Sequence, residues 1–149
     1  MKRKEFYERV NRIDPESPEA IDALADLFEE DYLTADKDLK DREISESILP
    51  QARADLKHYM DRYDRLREKI DGALREAGAT EAQINWGLFG NVELPTGSFL
   101  RCNLWARKLI RCSYQILYCL AELKMIGRYA KVDEEELRRI QRDYGRRYG

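Results

Sequence analysis

Apolar and small residues recur at steps of three and four from Phe99 to Ala130: Phe99, Cys102, Ala106, Leu109, Ser113, Ile116, Leu120, Leu123, Gly127 and Ala130. That spacing puts them on one seam of an α-helix, which at 1.5 Å per residue is about 48 Å long. A helix with one apolar edge gains little from propensity and most of its stability from burying that edge, so the pattern demands a partner. A second seam supplies it. Ala52, Leu56, Tyr59, Tyr63, Leu66, Ile70, Ala73 and Ala77 step by four and three and stop at Gly78, a natural helix terminator. This seam spans about 40 Å and matches the first in an antiparallel hairpin, with about 50–78 and 98–131 as its arms.

The shorter segments read as helices that complete the packing. Phe6, Val10 and Ile13 stripe a helix over residues 2–12 that stops at Asp14-Pro15, because a residue before proline is pushed out of the helical region. Ser17 is a candidate N-cap with Pro18 in the first turn, followed by a stripe of Ile21, Leu24, Leu27 and Phe28 opposite Asp22, Asp26, Glu29 and Glu30. A highly charged third segment from Thr34 has only Leu39, Ile44 and Leu49 as anchors, and Pro50 either kinks it or opens the next helix. Thr80 and Gln83 form a capping-box pair, predicting a helix from Glu81 to about Phe89. Asp133 caps a last helix with Leu137, Ile140 and Tyr144 on its apolar side. The chain therefore reads as all-α, an antiparallel helical bundle of about five helices built on the long hairpin, in one domain over 1–149.

Charge changes the picture more than composition does. The 149 residues are 43% hydrophobic and 38% charged, as expected when helices have wide solvated faces. The net charge of −2 hides a polarity: residues 1–79 carry 15 basic against 21 acidic side chains, residues 80–149 carry 12 against 8. Opposite its seam the long helix has a second stripe, Arg107, Arg111, Tyr114 and Tyr118, flanked by Arg101 and Lys108. Cations interleaved with aromatics suit nucleic-acid phosphates and bases. They suit equally the acidic flanks of this chain's own helices, Asp55, Asp61, Asp64 and Glu68 or Asp22 to Asp31. Arg138, Arg139, Arg142, Arg146 and Arg147 near the C-terminus form a second candidate anion-binding group. Trp86, Leu88 and Phe89 form a candidate protein interface, or else a lid over the end of the bundle.

Motifs for chemistry are missing. The single histidine, His58, stands between Asp55 and Asp61, far short of the paired Glu-x-x-His of di-metal bundles. The three cysteines, at 102, 112 and 119, contain no Cys-x-x-Cys pair, and steps of ten and seven along a helix are too long for a disulfide. Neither a phosphate loop nor a nucleophile elbow occurs. The expectation is a protein that is not an enzyme, with no catalytic residues, metal or cofactor. No membrane segment or export signal is read, so a cytoplasmic location is expected. The function expected is a non-catalytic adaptor, accessory or regulatory subunit acting through helical surfaces, with a protein partner, a second copy of itself, or both. An RNA- or DNA-binding accessory protein is the alternative.

Overall fold

The structure, a computed structural model, describes residues 1–35, 44–86 and 93–144. Among the described residues six α-helices follow one another: α1 (Arg3–Asn11), α2 (Ala20–Ala35), α3 (Leu49–Glu76), α4 (Glu81–Trp86), α5 (Thr96–Ile126) and α6 (Glu134–Tyr144). A π-helical turn, Ile44–Ile48, leads into α3. No strand occurs among the described residues. The fold is an all-α antiparallel helical bundle whose frame is the α3–α5 hairpin. Direction is read from side-chain electrostatics: Arg62 acts on the Cys112 thiol, and Asp55 acts on Cys119 and Glu122. Moving up α5 thus means moving down α3.

The seams lie at the centre of the bundle. Ala52, Leu56, Tyr63, Leu66, Ile70 and Leu74 of α3 share one core with Ala106, Leu109, Ile116, Leu120 and Leu123 of α5, and Cys102 is buried as well. Leu74, one residue beside the predicted line, takes the place of the half-buried Ala73. Tyr59 and Ser113 are only half-buried, Ala77 and Ala130 lie past the ends of their helices, and two more seam residues depart further. Phe99 is 55% exposed: the register that sets Cys112 beside Arg62 brings it level with the last turn of α3, where the facing helix runs out. Gly127 is not helical, because α5 stops at Ile126 and the amides of Arg128 and Tyr129 fold back onto the carbonyls of Met125 and Ile126. The arm is therefore 96–126 rather than 98–131.

Local chemistry sets the boundaries. After α3, Gly78 takes φ +85°, the Ala79 amide donates to the Leu74 carbonyl and the Gly78 amide to that of Arg75. This is a Schellman stop, which favours glycine because the left-handed conformation crowds a Cβ. The capping box closes as spaced: the Thr80 amide donates to Gln83 Oε1 at 2.8 Å and the Gln83 amide to Thr80 Oγ1 at 3.2 Å. Asp133 Oδ1 accepts from the amides of Glu135 and Glu136. Pro50 lies in the first turn of α3, and the helical backbone continues into it from the π-turn. Proline cannot donate to the preceding turn, and the wider π-turn accommodates that loss. Ser17 does not cap α2 as expected. Asp14 accepts the Glu16 amide on its side chain and the Ser17 amide on its carbonyl, so residues 15–19 form turns and α2 begins at Ala20. The third predicted segment falls mainly on 36–43, outside the described residues.

α2 lies on the last turns of α5 and α1 on α2. Lys124 pairs with Asp22, and Arg128 pairs with Glu29 and, at 2.7 Å, with Asp26. Arg9 of α1 grips Glu30 through two hydrogen bonds of 2.7 Å. α6 runs back along α5: Ser113 Oγ donates to the Tyr144 carbonyl at 3.0 Å, and the Tyr144 hydroxyl donates to both Asp64 carboxylate oxygens at 3.1 Å. The Tyr144 ring meets Tyr63 edge-on, with centroids 4.9 Å apart.

Candidate interaction surface

The buried arc of α5 is uneven along its length. From Cys112 to Ile126 it is wide, taking in Cys112, Ile116, Cys119, Leu120, Ala121, Leu123, Met125 and Ile126. α2 and α6 meet that half, through Lys124 and Ser113 respectively. From Thr96 to Arg111 only Cys102, Ala106 and Leu109 are buried, the width of a single seam toward α3. At 100° per residue the side away from α3 carries Leu100, Leu104, Arg107, Arg111 and Tyr114, spaced by four, three, four and three. Leu100 is 61% exposed and Leu104 51%. Ile110 and Tyr114 are also exposed, as is Phe99 in the first turn of the helix.

The predicted basic stripe is therefore part of a larger face. Arg101, Arg107 and Arg111 are exposed and Lys108 half-buried. None of the four makes an ion pair with a described residue. Arg101 and Lys108 flank the stripe about 100° round the helix from Arg107. Tyr118 is half-buried, and burial, then Tyr114, pushes its phenol up. The acidic residues of α2 engage Lys124 and Arg128, and Arg107 and Arg111 have no ion-pair partner among the described residues. Helical spacing revealed the cations; Leu100, Leu104 and Ile110 were missed, although the step from 100 to 104 to 107 to 111 to 114 was there to be read.

The remaining candidates are separate from this face or fall outside the described residues. Arg138 is held by Glu135 at 2.6 Å and Glu134 at 3.6 Å, while Arg139 and Arg142 are exposed on the outer side of α6. Arg146, Arg147, Leu88, Phe89 and the Trp86 side chain lie outside the described residues.

For chemistry the interior offers little. Cys102, Cys112 and Cys119 are buried and not cross-linked. Burial raises all three thiols, Cys119 to about 12 with Glu122 and Asp55 adding to the effect. Such thiols stay protonated and unreactive at neutral pH. His58 is exposed, its ring edge-on to Tyr59. Among the described residues no group of three His, Cys, Asp or Glu is placed to hold a metal ion, and no helix is long and apolar enough to cross a membrane. A cavity of about 60 Å³ between α2, α5 and α6, lined by Ile21, Leu120, Lys124, Leu137 and Arg138, has room for little beyond water. No protein-family model, curated protein or solved structure matches this chain.

Proposed function

We propose that the protein is a non-catalytic helical interaction module, an adaptor or accessory subunit, that binds another protein through the outward face of the N-terminal half of α5. The observation that carries this is the exposure of Leu100, Leu104 and Tyr114 on one helical stripe, with Ile110 exposed at its edge. Scattered surface leucines are ordinary, but exposed apolar residues aligned with cations on one helical face are characteristic of a recognition surface. Three buried thiols with no cross-link support a reducing compartment such as the cytoplasm.

The test uses the full chain and a Leu100→Ser/Leu104→Ser variant, both immobilised and exposed to extract of the source cells. Both side chains are exposed, so the variant keeps its helical circular dichroism and urea midpoint. The expected result is one stoichiometric protein partner, held by the full chain and lost by the variant. Equal retention by both overturns the proposal.

A second reading is favoured by the four cations that make no ion pair with a described residue: nucleic acid along the same face. Its mark is retention of oligonucleotide that weakens steeply with salt and vanishes in Arg107→Glu/Arg111→Glu. The sequence pI near 5.6 weighs against it, since nucleic-acid modules are usually basic overall.

A further inference from the structure

Resting on that interaction reading, we infer that the occupant of the α5 face is an amphipathic helix of another protein, apolar along one stripe and acidic along its flanks. Shape is the first reason. From Leu100 to Tyr114 the face is about 21 Å of regular helix, and apolar residues at steps of three and four match those of a second helix laid alongside.

Charge is the second reason. No acidic residue occurs from Thr96 to Ala121, whereas Arg107 and Arg111 stand within the stripe and Arg101 and Lys108 beside it. Covering them with an uncharged or cationic surface would remove water from guanidinium groups and return nothing. Two copies of this face are poor partners for the same reason. In an antiparallel two-fold pairing about Arg107, that residue meets its own counterpart and Arg111 meets Asn103, with no counter-charge available.

The third reason lies within the chain. The C-terminal end of α5 and the turn after it already hold such a helix: α2 packs Ile21, Ala25, Phe28 and Tyr32 into the core that α5 shares, flanked by Asp22, Asp26 and Glu29, which take Lys124 and Arg128. An external acidic helix on the N-terminal half repeats that arrangement about five turns nearer the start of the same rod.

The experiment is a display library of helical peptides of about 18 residues, long enough to cover the face. Leucine is fixed at steps of four, three and four, and the flanks vary among Asp, Glu, Lys, Arg, Gln and Ser. It is selected on the full chain and counter-selected on Leu100→Ser/Leu104→Ser. The expected result is enrichment of Asp and Glu at the flanks. An enriched peptide then binds Arg107→Glu/Arg111→Glu about tenfold more weakly or worse, and the same peptide with its acids changed to Lys recovers binding to that variant. Arg107→Gln/Arg111→Gln repeats the loss without adding negative charge, should the double reversal fail to fold. Enrichment of uncharged or basic flanks overturns the acidic-helix inference and leaves the interaction reading standing. Absence of any enrichment also overturns the inference, while the extract experiment decides the interaction reading on its own. Co-sedimentation with phosphatidylserine vesicles that Arg107→Glu/Arg111→Glu abolishes, in place of peptide selection, overturns the inference in favour of a lipid surface.

Discussion

At the scale of single residues, two positions show how local chemistry fixes this fold. Gly78 is strained only for residues with a Cβ: its φ is +85°, yet a Cβ built there meets nothing within 4 Å. The cost of Gly78→Ala is therefore backbone conformation alone, about 1 kcal/mol, read as a lower urea midpoint with an unchanged slope. Tyr144 acts through its hydroxyl. Burial first, then donation to Asp64, pushes the phenol up to about 12 from an ordinary value of 10, because the phenolate has no proton to donate and would repel that carboxylate. A neutral group favoured by the fold contributes stability that is whole below pH 10 and is lost as pH rises from 10 to about 12. Tyr144→Phe is expected to cost about 1 kcal/mol at neutral pH and to lose less stability over that alkaline window, measured by chemical denaturation at each pH.

At the scale of elements, α2 is held on α5 by burial reinforced by a charged clasp. Arg128 lies between Asp26 and Glu29, and Tyr129 donates to Glu29 as well. The Tyr129 hydroxyl first, then Arg128, hold Glu29 below the usual carboxylate range against the opposing effect of burial. A carboxylate depressed in this way adds stability that is whole above the ordinary value of 4.5 and is lost as pH falls through its lowered one. Arg128→Ala is expected to lower stability by about 1 kcal/mol and to flatten that acid-side fall, with the loss shrinking in high salt. The clasp also shows what was legible in advance. The two seams, the Gly78 stop, the Thr80–Gln83 box and the Asp133 cap depend on residues close in sequence, so spacing alone revealed them. Which acidic helix meets which cations depends on the angle between α2 and α5, and the sequence left Arg107 and Lys124 looking alike. The failed Ser17 cap has the same kind of cause, since Asp14 competes for the local amides and local competition is hard to rank from residue types.

For the whole molecule, the decisive asymmetry is that α5 is surrounded along its C-terminal half and backed mainly by α3 along its N-terminal half. Sequence periodicity marks the centre of a buried stripe, which takes in Leu109 and leaves out Leu104, but not its width, which is set by how many neighbours arrive. Leu109 is 1% exposed and Leu104 51%. Truncating a buried leucine removes its transfer free energy and leaves a cavity, so Leu109→Ala is expected to cost 2–5 kcal/mol, about what core leucines cost elsewhere. Leu104→Ala removes side-chain surface that water already touches, so its cost is expected to stay within about 0.5 kcal/mol. Equilibrium urea unfolding of the two variants measures both. A Leu104→Ala loss approaching that of Leu109→Ala would mean that this leucine serves the fold, and the α5 face would lose its standing as a surface kept apolar for a partner.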